Sequence, residues 1–137
     1  MEESKKYTFS DLVEIVDEIR RKCPWDSIQT HQSLEKYLRE ETEEVIEAIE
    51  ELHEDSNGDH LCEELGDILF HVLLHCAIAK EEGIFSIDDV INRISQKMQF
   101  RHPRIFSPDD DEATALSWDE LKEREHSLFQ RDNCKSL

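Results

Sequence analysis

Apolar residues recur along this chain at the three-and-four spacing of amphipathic helices, and no segment reads convincingly as a strand. Leu12, Val13, Ile15, Val16 and Ile19 form the first series, with Ser10 as candidate cap and Pro24 as terminator, so a helix is expected over 10–22. Residues 24–30 (PWDSIQT) read as an ordered loop. A second helix is expected over 33–52, closed by the polar run 53–58 with its Asn57-Gly58 turn signal. Asp59 is positioned to cap a third helix reaching Glu82, with Gly83 as the residue just past its end. Ser86 and Asp89 open a fourth, to about 101, before Pro103. Residues 108–112 (PDDDE) read as an acidic mobile loop. Ser117 and Glu120 form a capping box for a short last helix over 118–129, followed by a frayed tail from 131. The expected fold is all-α: a bundle of four to five helices in one domain, core about 10–122, around a central antiparallel hairpin of helices two and three.

The third helix changes that picture in one respect. Over 68–79 it is apolar nearly all round, and such a helix must be covered on every side. So short a chain has few other helices to offer, so a homodimer or higher homo-oligomer is expected.

The polar exceptions to the apolar pattern carry the candidate chemistry. On helix two, Leu34, Leu38, Val45, Ala48, Ile49 and Leu52 fall on one stripe, and Glu41 sits near its centre, in a position patterned for leucine. Glu44 lies one turn on at the stripe's edge, and Glu40 lies further round. On helix three Glu64, Asp67, His71 and His75 form one polar strip. Helices joined by a short loop pack antiparallel, so the pair Glu41/Glu44 can face the pair Glu64/Asp67. Four carboxylates in a partly buried site repel, and some must take up protons unless a cation is present. Mg²⁺ prefers oxygen ligands and is held by carboxylates together with substrate phosphates. It would neutralise phosphate charge and lower the pKa of a bound water, whose proton a spare carboxylate such as Glu40 can accept. Pairs of Glu at this spacing also arise on solvated faces. What separates this case is that Glu41 interrupts an apolar stripe and that two neighbouring helices each bring a pair.

The formal net charge of −18 excludes sequence-independent nucleic-acid binding and disfavours anionic membranes. Any nucleotide site therefore needs local charge inversion by cations and placed Lys or Arg. The four cysteines show no C-x-x-C pairing and read as reduced thiols. The N-terminal residues carry no apolar signal region, the longest mainly apolar run is too short to span a bilayer, and a cytoplasmic protein is expected.

Glu40-Glu41-Thr42-Glu43-Glu44 reads EExxE, and Glu64-Leu65-Gly66-Asp67 reads ExxD. With CPWDxxQTH from Cys23 to His31, EELGDIL from Glu63 to Leu69, Glu81-Glu82-Gly83 and Arg101-His102-Pro103, this ordered series resembles the MazG family of nucleotide pyrophosphohydrolases, from about 12 to 122. The resemblance implies an α-helical, usually dimeric hydrolase that uses Mg²⁺, with Mn²⁺ as a substitute. It would cleave (deoxy)nucleoside triphosphates between the α and β phosphates, in nucleotide-pool housecleaning or on ordinary nucleotides. It implies that Glu41, Glu44, Glu64 and Asp67 are metal ligands. It implies that Lys97 and Arg101 match a phosphate-binding KxxxR, and that Trp118 stacks on the base. His71 departs from the pattern, standing where the family has Gln. It reads either as a contact to metal or phosphate or as a packed core histidine. Trp25 reads either as a pocket wall or as a loop anchor.

Two other classes compete. A di-iron bundle wants Glu-x-x-His on two helices, and Glu50-x-x-His53 and Glu123-x-x-His126 fall at helix ends, away from the paired carboxylates. A non-catalytic acidic interaction module would tolerate loss of the Glu41 charge.

Overall fold

The computed structural model describes residues 4–135; the side chains of Asp55 and of 129–135 lie outside that description. The described backbone is helical without strands: α1 (Phe9–Lys22), a 3-10 turn (Asp26–Ile28), α2 (His31–Asp55), α3 (Asp59–Glu81), α4 (Ile87–Arg101), α5 (Pro103–Phe106), α6 (Asp111–Thr114) and α7 (Trp118–Lys135). The chain divides into two compact units, Met1–Ile87 and Asp88–Leu137.

In the first unit the core consists of Val16 from α1, Leu34 from α2, and Leu73, Leu74 and Ile78 from α3. Leu12, Val13, Tyr37, Phe70 and Ile87 pack around it. Leu74 is fully buried, and its truncation to alanine would cost about 2–5 kcal/mol. The hairpin of α2 and α3 is antiparallel, as expected. Its register is read from pairs that run in opposite directions along the two helices: Glu51 with His60, Glu44 with Glu64, and His31 with His75.

Helix ends differ from expectation where a neighbouring residue has the better cap geometry. Thr8, not Ser10, caps α1: its hydroxyl accepts from the Asp11 amide (3.1 Å) while the Asp11 carboxylate accepts from the Thr8 amide (2.9 Å). Thr30, not a residue near 33, caps α2, with Ser33 returning the bond at 2.8 Å. The helix runs three residues further than expected, to Asp55, and is closed by Ser56 in the left-handed region (φ 60°). Gly58 takes the cap position of α3, and Asp59 is its first residue. The end of α3 is as expected: Gly83 has φ 72°, its amide donates to the Lys80 carbonyl (3.1 Å), and the Ile84 amide donates to Ala79 (3.0 Å), a Schellman closure.

In the second unit the acidic stretch expected as a loop contains the single turn α6, capped by the Asp110 carboxylate accepting from the Ala113 amide at 3.0 Å. The Ser117/Glu120 capping box of α7 is present, with bonds of 3.2 and 3.3 Å. That helix continues to Lys135, past the expected end near 129. Residues 136 and 137 of the expected tail lie outside the described residues. The single turns α5 and α6 raise the helix number above the expected four to five.

Among the described residues, no helix is long and apolar enough to cross a membrane. Cys23, Cys62 and Cys76 are free thiols. The third helix is buried along His71, Leu73, Leu74 and Cys76–Ala79, but Leu65, Leu69 and Val72, on one face at i, i+4 and i+7, stay exposed at 51%, 37% and 39%.

Candidate metal centre

Glu41 and Glu44 are one turn apart on α2, and Glu64 and Asp67 are one turn apart on α3. The hairpin brings the two pairs together, so that one oxygen from each of the four carboxylates lies within 4.8 Å of the others. Burial first, then the charges of Glu44 and Asp67, push the Glu41 carboxyl from 4.5 up to about 7. Burial also raises Glu64, reinforced by its hydrogen bond with Glu44 and opposed by His60. Glu41 Oε2 and Glu64 Oε2 are buried without a hydrogen-bond donor. Buried carboxylate oxygens that lack donors are costly. A hard divalent cation satisfies such oxygens and removes the repulsion, so the donor set fits one. Glu40 is adjacent to Glu41 in sequence, but its side chain is exposed and it is not one of the four.

Beside the carboxylates opens a pocket of about 210 Å³, walled by Trp25, Tyr37, Phe70 and His71 and reaching Glu41 and Asp67. It is smaller than the ~300–1,000 Å³ of drug-sized sites and suits a base or a sugar, not a whole triphosphate. Trp25 meets Tyr37 edge-on, with ring centroids 5.4 Å apart at 78°. Arg20 holds the loop that carries Trp25. Its Nη1 donates to the carbonyls of Asp26 (2.7 Å) and Gln29 (2.8 Å), while Nε and Nη2 donate to the two carboxylate oxygens of Glu81 at 3.0 Å each. Trp25 therefore both lines the pocket and stands on an anchored loop. His71 is buried and meets Phe70 edge-on, burial lowers its pKa from the usual 6.5, and its Nδ1 has no partner.

Tyr37 and Phe70 were not singled out from sequence. A signal existed: Tyr37 is four residues before Glu41 and Phe70 three after Asp67, on the carboxylate faces of their helices. Nothing in the spacing linked Trp25 to Tyr37.

The remaining candidates belong to the second unit. Lys97 and Arg101 share one face of α4, four residues apart. Arg101 is buried and its Nε pairs with the buried carboxylate of Glu125 on α7. Its guanidinium also lies 5.4 Å from the Trp118 ring centre. Trp118 is half exposed, meets His102 at 5.6 Å, and lines a pocket of about 460 Å³ with Arg101, Arg104 and Leu121. The Glu125 partner was not anticipated, because a buried Glu on a strongly charged helix carries no mark in the sequence.

A family model, the MazG nucleotide pyrophosphohydrolase domain, matches residues 29–106. That span includes all four carboxylates, Lys97 and Arg101, and excludes Trp118. The protein YabN of Bacillus subtilis, itself uncharacterized, is 47% identical over 96% of this chain and 27% of its own length. The nucleoside triphosphate pyrophosphohydrolase/pyrophosphatase MazG of Thermotoga maritima is 43% identical over 85% of this chain and 45% of its own. The nucleoside triphosphate pyrophosphohydrolase of Escherichia coli K12 is 39% identical over 77% and 40%. The chain thus spans less than half the length of these curated relatives. A crystal structure of a MazG-related protein from Thermotoga maritima superposes with a TM-score of 0.65 at 31% identity, covering 83% of this chain and 98% of that one. The match takes in the helix pair that gathers the acidic cluster, and with more than half of the sequence inside the family model, this chain belongs to the MazG nucleotide pyrophosphohydrolase family.

Proposed function

We propose that the chain hydrolyses (deoxy)nucleoside triphosphates to a nucleoside monophosphate and pyrophosphate with Mg²⁺, or Mn²⁺ in its place. The observation that carries this reading is the convergence of Glu41, Glu44, Glu64 and Asp67, with two buried oxygens lacking donors. These four residues would hold the cation, which when bound would supply phosphate neutralisation and a more acidic water. The Trp25–Tyr37–Phe70 pocket beside them takes the sugar, which leaves the phosphates at the carboxylates. Water adds at the phosphoryl centre, the bridge between the α and β phosphates breaks, and pyrophosphate leaves. Glu40, beside Glu41 and open to solvent, accepts the water's proton. Lys97, Arg101 and Trp118 are proposed contacts to phosphate and base.

The protein acts as a homodimer in the cytoplasm. Support for the dimer is the exposed apolar row Leu65, Leu69 and Val72 on α3, with Leu38, Ile46 and Ile49 exposed on α2. The charge of −18 argues against nucleic acid as a partner.

Product analysis by ³¹P NMR over a panel of nucleoside triphosphates, with Mg²⁺ and with EDTA, tests the reaction. Monophosphate plus pyrophosphate, lost with EDTA, is the expected result. Orthophosphate as the first product, or turnover that EDTA leaves intact, would overturn it.

A further inference from the structure

The acidic cluster has an outside partner at the turn of the hairpin. His60, in the first turn of α3, has Nδ1 2.6 Å from Glu51 Oε2 and Nε2 3.3 Å from Glu64 Oε1. Glu51 stands near the end of α2, and Glu64 one turn beyond His60 on α3. One imidazole therefore runs from the helix opposite to the most buried of the four carboxylates.

The two oxygens of Glu64 are engaged differently. Oε1 faces His60, whereas Oε2 is buried and has no donor. A carboxyl group turns about its last torsion with little resistance, so a Glu64 held by Glu44 alone would be less fixed in its plane. Holding one oxygen removes that freedom and leaves the other as the atom presented to the cluster. Loss of a partner that orients a ligating group typically weakens metal affinity by about 10–100-fold.

We propose that His60 is a positioning residue for the divalent cation: it holds Glu64 Oε1 from outside so that Oε2 is presented to the metal, while Glu51 fixes the far edge of the ring. The inference rests on reading the four carboxylates as the metal centre. It assigns His60 no contact with substrate or metal.

The side-chain alternatives separate this role from a plain clamp on the hairpin. Asn reproduces the Nδ1 position and keeps the Glu51 arm. Gln reproduces the Nε2 position and keeps the Glu64 arm. Mn²⁺ binding, followed by electron paramagnetic resonance on the full chain without nucleotide, is measured for wild type, His60→Ala, His60→Asn and His60→Gln beside their melting temperatures. The expected result is Mn²⁺ affinity weakened about 10–100-fold in His60→Ala and His60→Asn, and restored to near wild type in His60→Gln. If all three variants bind Mn²⁺ within twofold of wild type, His60 has no such role and the metal centre stands without it. If His60→Asn and His60→Gln bind alike and only melting temperatures change, His60 is a hairpin clamp and the proposal falls. If wild type binds no Mn²⁺, the metal-centre reading itself fails, and this inference with it.

Discussion

The Nδ1 atoms of His31 and His75 lie 2.8 Å apart, with their rings within 5° of parallel and their centroids 5.1 Å apart. The centroid separation is close to the N···N distance plus two ring radii, so the rings meet edge to edge and share one proton. His31 opens α2 and His75 lies in the buried half of α3, so the bond ties the two carboxylate-bearing helices at the end away from their turn. On its other side His31 Nε2 lies 3.6 Å from Glu82, while His75 Nε2 is buried without a partner. Burial first, then the neighbouring His31 and His71, hold the His75 pKa below its usual 6.5.

That depression predicts acid sensitivity. Below pH 6.5 the unfolded chain binds a proton at this position that the folded chain refuses, so the contribution to stability is complete above 6.5 and falls as pH drops below it. His75→Asn keeps a polar atom near the Nδ1 position and cannot titrate. The drop in melting temperature between pH 7.5 and 5.5 should therefore be smaller in this variant than in wild type, as read by circular dichroism.

Glu41 predicts the opposite sign. Its folded pKa of about 7 lies above the unfolded 4.5, so between these values the folded state keeps a proton that the unfolded state has lost. Stability of the metal-free protein from this group is full below 4.5, declines as pH rises through the window, and levels off above 7. A cation must displace that proton, so affinity for Mg²⁺ should weaken by up to about tenfold per pH unit below 7. Titration calorimetry at pH 6, 7 and 8 checks this, and the dependence should be shallower in Glu41→Gln, where only the raised Glu64 carboxyl still competes with the cation.

Glu41→Ala and Asp67→Ala should each bring turnover to background while far-UV circular dichroism stays unchanged, because these side chains add nothing to the core. Activity within tenfold of wild type in either variant would remove the proposed centre. Ca²⁺ should bind but support little turnover, since it is larger and tolerates looser coordination than Mg²⁺.

Lys97 and Arg101 should separate in behaviour. Arg101→Ala leaves Glu125 buried and unpaired, and should lower stability by about 3–5 kcal/mol in urea unfolding. Lys97→Ala should raise KM for triphosphates with a much smaller change in stability. Equal destabilisation in both would contradict the pairing of Arg101 with Glu125.

Placing a charge in the exposed apolar row of α3, as in Leu69→Glu, should convert a dimer to a monomer in light scattering coupled to size exclusion. A monomeric wild type would show that the row has another use.

The all-helical class, the hairpin and the four carboxylates were legible in the chain itself. Each follows from local rules: helical spacing of apolar residues, a polar turn too short for anything but an antiparallel neighbour, and an acid where leucine was due. The glycine closing α3 and the Ser117/Glu120 box were legible for the same reason, since a cap depends on only four or five consecutive residues. The exact starts of α1 and α2 were less so, because Thr8 and Ser10, or Thr30 and Ser33, are both chemically able to cap, and the choice depends on which backbone geometry the packed helix allows. What only the tertiary structure decided are contacts between residues of different elements. Trp25 against Tyr37, Arg20 to the carbonyls of its loop and to Glu81, His31 to His75, and Arg101 to Glu125 join side chains whose spacing obeys no helical period. A helix face tells which residues look the same way; which residue of another element looks back is settled by the rotation and register with which the helices pack.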